Sequence, residues 1–162
     1  LEFRRVLFRS STIGTAVIAV DPAVADAGKS SVASAADHVT AGSGTSNQTL
    51  VTVTLKDAFE NLLGDTSAES VTLEVTGDAS GASVGTASFN TDGTVTATFS
   101  GGTDTGSATV TAKLGSSTIG TAVIAVDPGA ATHIVVSPSS QSATNGGTVG
   151  TITVTEIGRA HV

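Results

Sequence analysis

The sequence predicts an all-β protein: antiparallel sheets packed face to face as a sandwich and repeated in tandem. Three observations carry that expectation. Apolar residues and Thr alternate strictly in several short runs, Gly- and Asp-rich turns separate those runs, and one long string occurs twice. Alternation puts successive side chains on opposite faces of a strand, so each run offers one face to a core and one to water.

The ends come first in the chain and are set apart from it. Residues 1–10, LEFRRVLFRS, and 156–162, EIGRAHV, hold Arg4, Arg5, Arg9 and Arg159, while residues 11–155 contain no Arg. Both strings resemble in-frame translations of sequencing adapters and are excluded from functional reasoning as artefacts. The alternative is a basic arm and a short basic tail. Without them, Lys29, Lys56 and Lys113 stand against twelve Asp and Glu, so the body is more acidic than the net charge of −7 for the whole chain.

The string SSTIGTAVIAVDP spans Ser10–Pro22 and again Ser116–Pro128, an offset of 106 residues. Solenoid repeats are shorter, roughly 20 to 50 residues, so this spacing marks an array of whole small domains. A second echo, Val51-Thr52-Val53-Thr54 and Ile152-Thr153-Val154-Thr155, is offset by 101. The chain is therefore expected to hold the last strand of one module at 11–22, a complete module at 23–128 and the first strands of a third at 129–155. Asp21-Pro22 and Asp127-Pro128 mark the boundaries, since Pro lacks an amide donor and ends a strand.

Within the complete module, Val51, Val53 and Leu55 alternate with Thr52, Thr54 and Lys56, and Val71, Leu73 and Val75 with Thr72, Glu74 and Thr76. Val95, Ala97 and Phe99 alternate with Thr94, Thr96 and Thr98, and Ala108, Val110 and Ala112 with Thr109, Thr111 and Lys113. The repeated strand, Ile119 to Val126, is apolar on both faces except at Thr121, which predicts cover on its second side from a neighbour or a loop. Asp92-Gly93 between Ala87–Asn90 and Val95–Phe99 is a hairpin signal. Asp57 to Leu63 is the one stretch where a helical turn could form, and a loop is expected there. About seven short strands at regular spacing close most economically as an immunoglobulin-like antiparallel β-sandwich.

Two segments then carry a resemblance. VTVTLKDAFENLLGD and SFNTDGTVTATFSGGTDTGSATVTAKLGSS are similar to the bacterial Ig-like domains of the invasin and intimin family, over about residues 48–128. The family's Asn-Gly-Asn turn after Lys-Asp is replaced by Ala58-Phe59-Glu60-Asn61, which leaves the conformation of that loop open. The resemblance implies an Ig-like fold, an extracellular location on the bacterial cell surface, and a role holding a binding tip away from the membrane. Its implied partners are neighbouring Ig-like modules of the same chain, with any host or cell-surface receptor bound through other domains.

Chemistry finds little purchase. Cys is absent, which removes disulfides, thiol catalysis and thiolate metal sites. An acidic chain argues against nucleic-acid and membrane-surface partners, which require clustered Lys and Arg. No run approaches the roughly 18 apolar residues of a membrane-spanning helix. No secretory signal precedes the repeats, and with no initiating Met the chain reads as a piece of something longer.

His38, His133 and His161 are the only imidazoles. His38 is expected in a solvated connection and His133 at the start of the third module, and no Gly-x-Ser-x-Gly elbow opens a helix. Asp65, Asp78, Asp92 and Asp104 are candidate Ca²⁺ ligands at loop tips, with turn formation the preferred reading. Asp21 and Asp127 at the junctions are read the same way. Asn47-Gln48-Thr49 fits a glycosylation sequon. No catalytic, cofactor-binding or metal-binding residue is assigned, and the chain is expected not to be an enzyme.

Two functions from different classes follow. One is a non-catalytic spacer in the stalk of a tandem-repeat adhesin. The other is a carbohydrate- or protein-binding Ig-like module of a secreted enzyme or phage tail protein. Binding loops of that kind are rich in Tyr and Trp, and the chain has neither. The duplicated strand also has a consequence of its own: with two copies for one slot, Ile13 to Val20 is expected to pack poorly or to exchange within or between chains.

Overall fold

A computed structural model of the chain describes residues 16–158. The first elements are β1 (Ser31–Ser34) and β2 (His38–Thr40), followed by a 3-10 turn at Thr45–Asn47 and β3 (Gln48–Thr54). Then come β4 (Val71–Gly77), β5 (Ser83–Val84), β6 (Ser88–Phe89), β7 (Thr94–Ser100), β8 (Gly106–Leu114) and β9 (Ser117–Asp127). Finally β10 (Ala131–Ser137) and β11 (Thr153–Gly158) pair with each other. No α-helix occurs among the described residues, and Asp57 to Leu63 is a loop.

Strands β1 to β9 form two sheets. One has the order β1-β3-β7-β5, with β6 also on β7, and the other β2-β9-β8-β4. All pairs are antiparallel except β2 on β9. The architecture is the immunoglobulin-like sandwich, with more strands than alternation revealed because β2, β5 and β6 are only two or three residues long. Residues 156–158 continue β11, Ile157 opposite His133. Backbone pairing is indifferent to side chains, so the ladder runs on into the segment set aside as a tail.

The register places like with like across each pair. Val51 faces Ala97 and Val53 faces Val95 on the inner face, while Thr52 faces Thr96 and Thr54 faces Thr94 on the outer. In the opposite sheet Ala108 pairs with Ile124 and Val110 with Ala122. Phe99, Leu55, Ile124, Val51, Val53, Val95 and Val110 are the largest apolar side chains fully buried between the sheets. They form two clusters, one around Phe99 and one around Leu55, and Val32 and Leu73 pack against both.

A register shift between Ala112 and Lys113 interrupts the β8–β9 ladder. Gly120 then lies opposite Ala112 and Thr118 opposite Lys113, so Ile119 is the extra residue of a bulge. An extra residue changes which face the following side chains occupy. Ile119 therefore packs on the Leu55 cluster while Ile124 packs on the Phe99 cluster. This corrects the expectation of cover on the second face of the repeated strand: Val123 is 56% exposed. The bulge accounts for Ile119, while Val123 and Ala125 stay on the outer face.

The Asp92-Gly93 hairpin is present, with Ser88 opposite Thr96 and Phe89 opposite Val95. Gly93 has φ 81, and any Cβ there would run into the Leu63 carbonyl and the Leu62 side chain, so only Gly fits. The N-terminal copy of the repeated strand behaves differently from β9. Its described part, 16–22, forms no strand, and Val17, Ile18 and Val20 are exposed. Ile13 lies outside the described residues.

Phe99→Ala should lower unfolding stability by about 3–5 kcal/mol, while Val123→Thr should change it by less than about 0.5 kcal/mol. Denaturant titration followed by far-UV circular dichroism measures both, the chain having no Trp or Tyr to report by fluorescence.

Candidate functional site

The strand directions fix two ends of the sandwich. At the leading end, the chain arrives through Asp21–Ala25 and meets the loop after β3 and the β6–β7 turn. At the trailing end, β9 leaves through Asp127 beside the loop between β2 and β3 and the loop after β7. Buried polar side chains tie both ends, with Asp57 foremost at one and Asn47 at the other.

At the leading end the tie is Asp57, 1% exposed. One carboxylate oxygen accepts hydrogen bonds from the backbone amides of Phe59 and Asn61, both at 2.9 Å. The other accepts from the Ala23 amide and from Asn61 Nδ2, both at 3.0 Å. A single carboxylate thus closes its own loop and anchors the arriving chain. Backbone bonds extend the anchor, Asp26 N donating to Lys56 O at 2.8 Å and Leu63 N to Leu55 O at 3.1 Å. Burial pushes the Asp57 carboxyl up, but the bonds from Asn61, Ala23 and Phe59 outweigh it and hold the carboxyl below its ordinary value of 3.8.

The replaced turn folds around this carboxylate. Glu60 takes φ 69, the left-handed region that Gly occupies without steric penalty. Its side chain pairs with Lys29 at 3.1 Å on the surface. Phe59 beside it is 79% exposed.

At the trailing end the tie is Asn47, 5% exposed. Its Nδ2 donates to Thr40 O at 3.0 Å and to Gly102 O at 2.8 Å, and its own carbonyl accepts from Gly101 N at 2.9 Å. The sequon asparagine is thus a structural clamp whose amide is already engaged. Ala41 N donates to Asp127 O at 2.7 Å, fastening the exit of β9. His38 Nδ1 lies 2.9 Å from Asp127 Oδ2 across the parallel pair. His38 is accordingly a strand residue, correcting its expected place in a connection, although its side chain remains exposed.

The four loop aspartates do not converge. Asp65 and Asp92 lie at the leading end and Asp78 and Asp104 at the trailing end, and no group of three or more potential ligands forms among the described residues. Asp65 accepts from the Ser67 amide at 2.9 Å and Asp92 from the Thr94 amide at 3.1 Å, the turn-forming role expected of Asx side chains. The Ser67 amide holds the Asp65 carboxyl below its ordinary value, and the Thr94 hydroxyl, with the Thr94 amide, does the same for Asp92. Asp21 lines a recess at the leading end and Asp127 pairs with His38, so the two junction aspartates are separated by the length of the module. His133 sits in β10, and His161 is outside the described residues.

Sequence reasoning passed over Asp57. The signal for it was the Lys-Asp that closes the β3 run. It also passed over a literal Gly-x-Ser-x-Gly, Gly81-Ala82-Ser83-Val84-Gly85, which lies across the edge strand β5 and opens no helix.

Two stacked sheets with both ends closed by polar ties define an immunoglobulin-like domain. The family model "Invasin, domain 3" matches residues 26–131, and the chain belongs to that family of adhesin domains. Among solved structures, FdeC, an adhesin of Escherichia coli, is 30% identical with a TM-score of 0.57, covering 71% of this chain and 37% of that one. InvD of Yersinia pseudotuberculosis is 23% identical with a TM-score of 0.57, covering 80% of this chain and 39% of its own. Invasin, described as a bacterial integrin-binding protein, is 21% identical with a TM-score of 0.57, covering 70% and 23%. The latter two share the fold. No curated protein sequence matches the chain. The chain thus spans well under half the length of these structures.

Asp57→Asn should lower the melting temperature at pH 7. Because the folded pKa is depressed, the contribution of Asp57 is complete above the ordinary carboxylate range and is lost as pH falls through the folded value. The variant should therefore lose less stability than the parent on acidification below about pH 4, read by thermal melts across pH. His38 has the opposite sign: its bond to Asp127, then the charges of Asp127 and Asp37, raise its pKa above 6.5. Its contribution is complete below pH 6.5 and fades as pH rises through the folded value, a small loss that His38→Gln should abolish in the same melts.

Proposed function

We propose that this domain is a non-catalytic spacer in the stalk of a tandem-repeat bacterial surface adhesin, holding a distal binding domain away from the cell. The observation that carries it is the path of the chain, which arrives at one end of the sandwich and leaves at the other. In this reading residues 11–22 are the last strand of a preceding module, 23–128 the complete module and 129–155 the first strands of the next. The 11 residues of β9, at about 3.3 Å each, give a module length of about 35 Å. Modules joined end to end in this way add their lengths.

Other features suit the role. Thr-rich outer faces keep a long rod in solution, and the acidic surplus discourages lateral sticking. Asp57 and Asn47 each fasten a junction-bearing end to the core. The loops at the trailing end are built of Gly, Ser and Thr and carry no aromatic anchor. Receptor binding would belong to other domains of an extracellular, surface-exposed parent, as befits relatives that include an adhesin and an integrin-binding protein.

Arrays of one, two and three copies of 23–128 test the proposal by small-angle X-ray scattering. The maximum dimension should rise by about 35 Å per copy. Growth no faster than that of a compact particle of the same mass would overturn it.

A further inference from the structure

The leading end carries an apolar patch that the core does not use. Val24 is 82% exposed, Phe59 79% and Leu62 48%. The two oxygens of the Asp57 carboxylate hold the amides of Ala23 and Phe59, so the segment that carries Val24 and the loop that carries Phe59 are tied to one point. Leu62 stands at the same end, bridged to Lys56 and lying against the β6–β7 turn at Gly93. A recess of about 420 Å³ lies alongside, between Pro22–Val24 and Leu63–Asp65. Among the described residues Phe59 is the most exposed aromatic ring, and it stands beside a backbone knot tied by Asp57.

The tether decides what covers this patch. Exposed residues 16–20 lead into this end, where Ala23 is fastened to Asp57. Whatever precedes Ser10 is therefore held over the patch at an effective concentration in the millimolar range or above, which no free partner matches. The segment that leads in, Ser10–Pro22, has the sequence of β9 and its exit, Ser116–Pro128. The trailing end of the described module carries a recess of about 330 Å³ lined by the small residues Thr40–Ser43 and Ser46, with Gly129–Ala130, whose place Ala23–Val24 take at the preceding junction, along its edge.

We propose that Val24, Phe59 and Leu62 form a seat for the trailing end of the preceding module, with the Phe59 ring entering that small-residue recess. The proposal rests on the spacer reading and names the surface by which one module sets the direction of the next. Asp57 is then the positioning residue of the joint, since it fixes both the arriving chain and the loop that carries the ring.

The repeat itself supplies the test protein. Inserting a second copy of 23–128 ahead of Ala23 in the full chain places Pro128 before Ala23 and reproduces the natural junction residue for residue. The chain has no Cys, so Thr72→Cys in each copy, on the exposed face of β4, gives a clean pair of spin labels. The unmodified tandem should show one narrow distance near a module length. Phe59→Ser in the second copy should broaden that distribution and lower the melting temperature of the tandem by a few degrees, yet leave the melting of the original chain unchanged.

A distribution whose width is the same with and without Phe59, or one already broad in the unmodified tandem, would overturn the docking seat while leaving an extended spacer standing. A distance much shorter than a module would instead overturn the spacer reading itself, and the seat with it.

Discussion

Every long strand in this sandwich has one apolar face, and the only place to hide it is between the two sheets. That constraint orders the rest. Val and Ala dominate the interior, with a single Phe, Phe99, fully buried. A core made of small residues gains little per position, at about 25 cal/mol per Å² of apolar surface. Its ends cannot be sealed by greasy plugs, and they are closed by hydrogen bonding. Asp57, Asn47 and Thr66 are buried polar residues held by hydrogen bonds: Thr66 Oγ1 donates to Asn90 O at 2.8 Å, and no fully buried side-chain polar atom is left without a partner among the described residues. Buried polar groups stabilise only when satisfied so fully.

How far the fold could be read beforehand follows from the same division. The runs at Val51, Val71, Val95 and Ala108 were legible because period-two patterning is a local signal, and the Asp92-Gly93 hairpin because its turn chemistry is local too. The strands β2, β5 and β6 were not, since two or three residues cannot display a period. The bulge at Ile119 was hidden for a related reason: alternation shifted by one residue looks like a strand apolar on both faces.

The junctions resisted prediction more strongly. Nothing within a few residues of Asn47 distinguishes a clamp from a sequon, because the carbonyl of Gly102 that decides the matter lies 55 residues away. The same holds for Ala23 and Asp57, 34 residues apart. Polar residues take their roles from distant partners, whereas apolar ones reveal theirs through pattern. The altered turn, in contrast, is held by a residue only a few positions away. Glu60 tolerates its left-handed backbone because Asp57 gathers the amides on either side of it.

The one parallel pair among the described residues, β2 on β9, bears on how the domain would respond to a pull on its ends. Both strands run from the leading end to the trailing end, with His38 opposite Ala125 and Thr40 opposite Asp127. Tension along the polypeptide draws β2 backward and β9 forward, so the load falls along the strand axes. The rungs between them are sheared together and are not peeled one after another. A pull across an antiparallel hairpin would unzip it bond by bond. Here the same few hydrogen bonds must yield at once, so a pull on the two ends of the domain meets this short pair as a unit.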